Sequence, residues 1–455
     1  MASLDGFFRP ESVAVIGASR DPRKPGHVIF RNFLEGNFKG KVYPVNPNAE
    51  VLIGRKCYPS VTDIEGRIDL AVIVVPAEAA IKAMEDCGKK GIKNVVVNAG
   101  GFRETGNSQL EEQLIKAAKK HGIKFIGPNT LGIFDAHSGV DTLFNPKYKL
   151  ERPQAGGISF ISQSGAIMSV VLDWMSMKGY KASKFISYGN AADIDESELL
   201  EYLASDSRTK VICMYIEGAR NGRKFFDAAK RVSGRKPIIA LKGGKTEEGG
   251  KAVSSHTGSL AGQAAIYSAA FRQAGIIEAD DIEQLFDFAR MVSSQPAAKG
   301  NRVQIITDGG GFGILFADNM ARNGLQLAMM ESGRLEDLRK RLPEHAVVGS
   351  IIDLTGDVNA ERYGMCISAA MDDGLVDMIV VIALFQVPAL TGEIVEVVAE
   401  AARERKKPIA FIAAGGRFTE VLKKSLEDYG VPTFSYPERA AAALKALNEY
   451  SMLSR

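Results

Sequence analysis

Three stretches of the sequence share one pattern: VAVIGAS at residues 13–19, ISFISQSGA at residues 158–166 and VQIITDGGGFG at residues 303–313. Each begins with a short run of β-branched and other apolar residues and continues through a turn of small residues into a helical stretch. A buried strand that passes through such a turn into a helix is typical of βαβ units with parallel strands. The three copies therefore predict three units of this kind.

The rest of the chain repeats the alternation of strands and helices. The strands are predicted at 13–16, 42–45, 70–75, 94–97, 124–126, 157–161, 183–186, 211–216, 237–241, 302–306, 351–354, 378–383 and 408–412. Helices between them include 109–120, 166–177 and 394–404. Pro, Gly and small polar residues mark joints in ERPQAGG at 151–157 and SSQPAAKGN at 293–301. We predict an α/β fold of three Rossmann-like or flavodoxin-like domains with mainly parallel sheets, at 1–150, 151–298 and 299–455.

The composition excludes several classes of protein. The 455 residues include 57 basic and 54 acidic side chains, a near balance that argues against a dedicated nucleic-acid-binding protein. The four cysteines form no CxxC pair, which argues against a disulfide framework and a structural metal site. The start of the chain does not resemble a signal peptide, and no apolar run reaches the roughly 18 residues of a membrane span. We expect a cytoplasmic protein without a membrane segment.

The first turn is suited to an anion. Gly17, Ala18 and Ser19 lie between a predicted strand and a helix, where free backbone N–H groups and the helix dipole favour phosphate. Arg20 and Lys24 follow and supply positive charge. The turn predicts a phosphate-bearing ligand in the first domain.

A nicotinamide cofactor is the obvious alternative for this domain. The GxGxxG pattern is incomplete, because the next glycine after Gly17 is Gly26. The second strand also ends without the Asp or Glu that would bind the ribose of NAD. Further turns at the predicted strand ends contain Asn46, Pro47, Val75, Pro76, Asn98, Ala99, Gly100 and Gly101. Such residues can simply make tight turns, but ligands of open α/β sheets bind over this edge, so we predict that they line the ligand site.

The most unusual segment is KGGKTEEGGKAVSSHTGSLAG at residues 242–262. It is too polar and glycine-rich for a core strand, and we interpret it as a long loop that presents His256 to a ligand. A neutral imidazole can attack phosphorus, provided that another group accepts its second N–H. Glu217, at the end of a predicted strand, is the candidate for that acceptor.

The phosphoryl oxygens need a binding site of their own. The start of a predicted helix offers one in Ser162, Gln163, Ser164 and Gly165, and a second small turn contains Gly189 and Asn190. The alternatives remain open at this point: a surface histidine, a simple helix cap and a solvated strand-end carboxylate would leave the same residues in the sequence.

These motifs together resemble a known family. VIGAS, NP, VVP, NAGG and GPN in the first domain, followed by SQSG, YIEG and SSHTGSLAG, are similar to the α subunits of the NDP-forming acyl-CoA synthetases, in particular the archaeal ADP-forming acetyl-CoA synthetases. The succinyl-CoA synthetase α chain is a more distant relative, and it carries a GGD-type turn where this sequence has Tyr188, Gly189 and Asn190. The final third resembles the flavodoxin-like CoA-ligase domain of this family.

The resemblance implies a reaction and assigns roles. The reaction converts acyl-CoA, ADP and phosphate to carboxylic acid, ATP and CoA, through an acyl phosphate and a phosphohistidine. Acetyl-CoA is the expected acyl-CoA substrate. His256 matches the phosphorylated histidine, and Glu217 matches the glutamate that stabilises it. The four residues from Ser162 to Gly165 match the helix N-terminus at the phosphoryl group. Residues 242–253 match the hinge of a mobile loop. Parts of the CoA site are matched by Gly17, Ala18, Ser19, Asn46, Pro47, Val75, Pro76, Asn98, Ala99, Gly100 and Gly101.

The resemblance also implies a partner. The sequence contains no Walker-type GxxxxGK[ST] motif for a nucleotide. A separate ATP-grasp β subunit is therefore expected to bind ADP or ATP with Mg²⁺, in an α2β2 heterotetramer, and no metal ligands are expected in this chain. Two other classes stay open, a nicotinamide-dependent oxidoreductase and a non-catalytic CoA-binding regulator.

Overall fold

The computed structural model describes residues 4–257 and 264–453, and for residues 253–257 it describes the backbone alone. The chain forms two compact units, Met1–Glu278 and Ala279–Arg455. The sheets in both are mainly parallel, which confirms the predicted α/β class. The division into two units does not test the predicted domain boundaries near 150 and 298, which stay a prediction.

The first unit begins with a five-stranded sheet in the order β2-β1-β5-β6-β7, whose neighbouring strands are all parallel. Its interior strands are buried except at Asn94, the first residue of β6, and the helices turn apolar faces toward them. Single-turn 3₁₀ helices lie at Val61–Asp63 and Arg103–Thr105. The elements are α1 Asp5–Phe8, β1 Ser12–Ile16, α2 Pro25–Glu35, β2 Lys41–Val45, β3 Val51–Leu52, β4 Arg55–Lys56, β5 Leu70–Ile73, α3 Ala77–Lys90, β6 Asn94–Val97, α4 Ser108–His121 and β7 Lys124–Ile126.

A six-stranded sheet follows in the same unit, in the order β13-β12-β11-β9-β10-β8. The pairs among β9, β10, β11 and β12 are parallel, whereas the edge strand β8 is antiparallel. The elements are β8 Ile133–Asp135, β9 Ala155–Ser162, α5 Gly165–Lys178, β10 Ala182–Ser187, α6 Glu196–Ser205, β11 Val211–Ile216, α7 Gly222–Ser233, β12 Ile238–Lys242, α8 Glu247–Thr257, α9 Ala264–Ala274 and β13 Ile276–Ala279.

The second unit contains a sheet in the order β15-β14-β17-β18-β19, with β16 also paired to β14. All of these pairs are parallel. The elements are α10 Ile282–Ser294, β14 Arg302–Thr307, α11 Gly310–Arg322, β15 Gln326–Leu327, α12 Ser332–Arg341, β16 Ile351–Asp353, α13 Ala360–Asp372, β17 Met378–Ile382, α14 Glu393–Arg403, β18 Ile409–Ile412, α15 Arg417–Asp428, β19 Thr433–Phe434 and α16 Pro437–Leu453.

All three large sheets share one topological feature. In each, the parallel series starts in the interior of the sheet, places its second strand on one side and then crosses to the other side. The crossings create switch points between β1 and β5, between β9 and β11, and between β14 and β17. Ligands of open α/β sheets bind at such points, over the carboxyl ends of the strands. Apart from His256 in α8, the predicted site residues of the first unit lie at or after the carboxyl ends of strands in the first two of these sheets.

The structure corrects one prediction. The polar segment at 242–262 was expected to be a loop, but the helix α8 occupies Glu247–Thr257. Its start is favoured by Thr246, whose Oγ1 accepts the Gly249 N–H at 3.0 Å, and by two acidic residues in the first turn that suit the helix dipole. Glu247 and Lys251 add an ion pair one turn apart at 2.7 Å. Residues 258–263 lie outside the described part of the chain.

In the described ranges, none of the helices combines the length and the apolar character that a membrane crossing requires.

Candidate functional site

The turn after β1 is closed tightly against the neighbouring strand ends. Gly17 has φ +97°, and its N–H donates to the Val45 carbonyl at 3.0 Å. A Cβ added to Gly17 would lie 2.4 Å from the Val74 carbonyl oxygen, and one added to Gly26 would lie 2.1 Å from the Gly17 carbonyl oxygen. Both positions therefore require glycine, and α2 begins directly against the β1/β5 edge.

The side chains along this edge are held by the backbone. Asn46 donates from Nδ2 to the Ala18 carbonyl at 2.6 Å, which joins the ends of β1 and β2. Asn98 donates from Nδ2 to the Leu131 carbonyl at 3.0 Å, while its buried Oδ1 has no hydrogen-bond partner in the described ranges. Gly101 has φ +99°. The structure thus brings together the predicted residues of the first domain along one edge: Gly17, Ala18, Ser19, Asn46, Pro47, Val75, Pro76, Asn98, Ala99, Gly100 and Gly101.

Positive charge lies beside the same turn. Arg20 and Lys24 are both exposed, and Lys24 is the N-terminal cap residue of α2. Arg23 is instead engaged by Asp21, since its Nε donates to Asp21 Oδ1 at 3.1 Å. These hydrogen bonds lower the pKa of Asp21 to about 2, so the pair is ionised and neutral overall. Arg20 and Lys24 are thus exposed beside the turn, and their role in binding a ligand stays a prediction.

Gln163 connects the two strands of the second switch point. Its Oε1 accepts the backbone N–H groups of Glu217 at 2.5 Å and Gly218 at 3.1 Å. Its Nε2 donates to the Gly218 carbonyl at 2.8 Å. One side chain at the end of β9 therefore satisfies three backbone groups at the end of β11, and it fixes the position of Glu217.

The turn that contains Gln163 also starts α5. Ser162 Oγ accepts the Ser164 N–H at 3.1 Å and donates to the Ser164 carbonyl at 2.7 Å, and Ser164 Oγ caps the helix by accepting the Ile167 N–H at 3.3 Å. The first N–H groups of a helix, here those of Gly165 and Ala166, have no partner inside the helix. They give this end of α5 the properties of an anion site.

Glu217 is buried rather than solvated. The residue is 7% exposed, and its Oε1 accepts the Tyr215 hydroxyl at 3.3 Å. Its Oε2 has no hydrogen-bond partner in the part of the chain that the structure describes. Burial lowers the pKa of Lys242, which donates to the Glu217 carbonyl at 2.7 Å, although the nearby Glu217 carboxylate acts in the opposite direction. Buried polar atoms normally have a hydrogen-bond partner, so this carboxylate oxygen at the β9/β11 edge needs a donor that is not among these contacts.

Sequence reasoning missed further buried polar groups next to this edge. Tyr188 is fully buried, and neither its hydroxyl nor Glu196 Oε2 has a partner among the described residues. Burial raises the pKa of Glu196 to about 7. Tyr267 accepts the Ala219 N–H on its hydroxyl at 2.8 Å. The sequence signal at this place is Asp195, which caps α6. A capping residue followed by acidic residues predicts an exposed first turn of a helix, so the burial of Glu196 was not detectable from the sequence.

The second predicted phosphate turn has other contacts. Gly189 has φ +52°, and a Cβ there would lie 2.3 Å from the Pro128 carbonyl oxygen. Asn190 donates from Nδ2 to Glu104 Oε2 at 2.6 Å and to Glu111 Oε2 at 2.9 Å. Two carboxylates already occupy this amide, so its contacts do not support a phosphate role, which stays a prediction.

The backbone of His256 lies in the last turn of α8, and its side chain is outside the described part of the structure. Among the described side chains there is no group of three or more His, Cys, Asp or Glu residues that could hold a metal ion.

Comparison with protein-family models divides the chain into three matched regions. Residues 11–136 match a CoA binding domain, residues 155–292 match a succinyl-CoA ligase like flavodoxin domain, and residues 303–452 match a Ligase-CoA domain. The matched regions contain the β1/β5, β9/β11 and β14/β17 edges in that order.

Whole-length relatives are found as well. The chain is 42% identical to the α subunit of acetate–CoA ligase [ADP-forming] II of Pyrococcus furiosus, with 98% of this chain and 97% of that protein covered. It is also 42% identical to an acetate–CoA ligase [ADP-forming] of Methanocaldococcus jannaschii, of which it spans 63%. The structure of a dinucleotide forming acetyl-coenzyme A synthetase 1 from Ca. Korarchaeum cryptofilum, in complex with phosphate and ADP, is similar with a TM-score of 0.94, 38% identity, and coverage of 100% of this chain and 98% of that one.

Proposed function

The chain belongs to the family of ADP-forming acetate–CoA ligase α subunits, and we propose that it carries a phosphoryl group on His256 beside the β9/β11 edge. In this family role it is a ligase that binds CoA and works with a partner subunit. Phosphate attacks the thioester carbon of acyl-CoA, the carbon–sulfur bond breaks, and CoA leaves as the thiol with the proton of phosphate. The imidazole then attacks phosphorus and releases the carboxylate, and ADP takes the phosphoryl group to give ATP.

The observation that carries the proposal is the open oxygen of Glu217. Attack by one imidazole nitrogen leaves an N–H on the other and a positive charge on the ring. A fixed, buried carboxylate oxygen that has no other donor among the described residues is well suited to accept that N–H and to stabilise the cation. Gln163 holds the Glu217 backbone in place, so the acceptor does not need to reorganise when the histidine arrives.

The phosphoryl oxygens need donors on the other side of the switch point. The N-terminus of α5 supplies backbone N–H groups and the positive end of a helix dipole. Ser162 and Ser164 hold this turn through their hydroxyl groups, so we assign them to its geometry. Gln163 is also assigned a positioning role, because it holds the backbone of Glu217.

CoA is assigned to the β1/β5 edge. The tight approach of Gly17 to Val74 leaves room for a ligand to lie against backbone at the start of α2. Arg20 and Lys24, both exposed, suit the phosphate groups of CoA. Acetyl-CoA is the expected acyl donor, following the acetate named for the Pyrococcus and Methanocaldococcus relatives.

The nucleotide is assigned to a partner. The chain spans nearly all of the Pyrococcus α subunit but 63% of the Methanocaldococcus relative, which leaves further sequence in that longer protein for another part of the reaction. We propose that an ATP-grasp β subunit provides the site for ADP and Mg²⁺, and that two copies of each subunit form an α2β2 heterotetramer.

Mass spectrometry of phosphohistidine tests this proposal. The chain, in complex with its partner subunit, is incubated with ATP and Mg²⁺ and digested under alkaline conditions that preserve phosphohistidine. We expect an acid-labile phosphate on the peptide that contains His256, absent from His256→Ala. An active complex without phosphate on that peptide would refute the carrier role and would favour a non-catalytic CoA-binding part for this chain.

A further inference from the structure

A cluster of charged side chains lies between the two sheets of the first unit. We call it the polar bridge and define it by Arg103, Glu104, Glu111, Asn190 and Arg220. Its members come from the loop after β6, from α4, from the turn after β10 and from the loop after β11. No part of the phosphoryl-transfer scheme above uses these contacts.

Glu111 is the centre of the polar bridge. The residue is 3% exposed, and its Oε2 accepts Asn190 Nδ2 at 2.9 Å. Its Oε1 accepts Arg220 Nη2 at 3.0 Å and lies 3.7 Å from Arg103 Nε. A carboxylate on a helix of the first sheet is thus bound by groups on two loops of the second sheet.

On the side of the first sheet, the polar bridge reaches the turn after β6 that contains Gly101, one of the residues predicted to bind CoA. Glu104 Oε1 accepts the N–H groups of Gly101 at 2.6 Å and Phe102 at 3.1 Å, and its Oε2 accepts Asn190 Nδ2 at 2.6 Å. Burial alone would raise the pKa of Glu104, but these hydrogen bonds outweigh it and hold the pKa below its ordinary value. Glu104 is therefore ionised at neutral pH and binds the turn through charge-assisted hydrogen bonds.

On the side of the second sheet, the polar bridge reaches the β9/β11 edge, to which the phosphoryl group is assigned. Arg220 donates from Nη1 to the Ala191 carbonyl at 2.8 Å and from Nη2 to Glu111. Arg220 follows Glu217 by three residues in the loop after β11. A continuous path of hydrogen bonds and short backbone segments therefore connects Gly101 with Glu217.

We propose that Glu111 is a positioning residue that sets the distance between the β1/β5 edge, to which CoA is assigned, and the β9/β11 edge, to which the phosphoryl group is assigned. The inference rests on the proposed function, in which a thioester held at the first edge must meet phosphate held at the second. Reacting atoms have to come within about 3–3.5 Å, and a misplacement of 1 Å can cost about 100-fold in rate. The transfer between His256 and the nucleotide involves the partner subunit, and it does not depend on this distance.

The test compares two half-reactions in the complete complex with its partner subunit. Phosphorylation of His256 is followed by rapid quench, first with ATP and Mg²⁺ and then with acetyl-CoA and phosphate. We expect Glu111→Gln, which keeps the shape of the side chain, to slow phosphorylation from acetyl-CoA by about 10- to 100-fold and to leave phosphorylation from ATP within about twofold. Glu112→Gln is the matched control, since Glu112 is exposed on the same helix, and it should change neither rate.

A second variant covers the case in which Glu111→Gln does not fold. Arg220→Lys keeps the charge and loses the forked contact with Glu111 and Ala191, so it should show the same selective loss to a smaller extent. Equal slowing of both half-reactions, or an unchanged reaction with acetyl-CoA, would overturn the inference. If the wild-type complex forms no phosphohistidine from either donor, the proposed function itself fails, which is a distinct result.

Discussion

The β9/β11 edge and the β14/β17 edge are built with the same device. At the first, Ser162 Oγ accepts the Ser164 N–H at 3.1 Å and α5 begins at the next residue. At the second, Thr307 Oγ1 accepts the Gly309 N–H at 3.0 Å and α11 begins at the next residue. In both, the residue after the hydroxyl side chain reaches across the switch point and binds backbone N–H groups of the neighbouring strand end.

The difference lies in the residue that reaches across. Gln163 is a neutral amide that binds the Glu217 backbone, and one carboxylate oxygen of Glu217 has no partner among the residues that the structure describes. At the other edge, the residue is Asp308, and both of its oxygens accept the Leu384 N–H, at 3.0 and 3.1 Å. The same topology thus gives one edge with an available carboxylate and another whose carboxylate is already used. The chemistry resides in these side chains rather than in the fold.

The largest expected effect on stability follows from removing Gln163. Gln163→Leu leaves two backbone N–H groups and one carbonyl unpaired, each of which costs about 1–3 kcal/mol when buried. For the three groups together we expect a loss of about 3–9 kcal/mol in the free energy of unfolding. Trp174, the only tryptophan of the sequence, lies in α5 and reports the unfolding of this unit by fluorescence.

The matched control for this variant is Gln273→Leu on the exposed surface of α9, which should change stability by less than about 0.5 kcal/mol. Equal effects of the two substitutions would show that the bond across the switch point contributes nothing measurable.

A second prediction concerns the buried acids near each edge. Burial raises the pKa of Glu196 from 4.5 to about 7 and that of Asp308 from 3.8 to about 6. A raised folded-state pKa means that the protonated form favours folding, so this stability is complete below the unfolded pKa and is lost as pH rises through the folded value. Each acid thereby costs about 3 kcal/mol at high pH.

We therefore expect Glu196→Gln to gain stability relative to wild type as pH rises to about 7, and Asp308→Asn to stop gaining near pH 6. Calorimetric unfolding of wild type and both variants between pH 4 and pH 8 measures the two profiles. Profiles that are flat, or that fall with rising pH, would contradict the burial of these acids in ionisable form.

The smallest effect is expected at the helix caps. Ser164 caps α5 with its side chain, whereas Gly309 caps α11 without one. Ser164→Ala should cost about 1 kcal/mol, and Ser164→Gly, which imitates the other edge, only a few tenths of this. Urea unfolding followed by Trp174 fluorescence distinguishes the two. An unchanged stability of Ser164→Ala would mean that the hydroxyl is not the cap.

Much of the fold followed from the sequence because its strands are short β-branched runs bounded by turn residues. β6 and β11 were predicted with their observed bounds, Asn94–Val97 and Val211–Ile216. The edge strand β8 was missed, since three residues in an antiparallel pair give little periodicity. The helix α8 was also missed, because its glycines suggested a loop and the contribution of local capping and charge pairs was underestimated.

The site was predictable in outline but not in detail. Turn composition and chain order placed Gly17, Gln163 and Glu217 at strand ends, and the parallel sheets bring such ends to common edges. The contacts of Asn190 with Glu104 and Glu111 depend on how two sheets pack, which no local pattern encodes. The burial of Glu196 depends on tertiary packing in the same way.

The most direct test of the account uses Glu217. Rapid-quench phosphorylation of His256 is compared between wild type and Glu217→Gln in the complex with the partner subunit, with melting temperatures measured in parallel. A hydrogen bond to a charged group contributes about 1.5–3 kcal/mol, so the account predicts a rate lower by roughly 10- to 150-fold at nearly unchanged stability. An equal rate of phosphorylation in the two proteins would contradict the role of the open carboxylate oxygen.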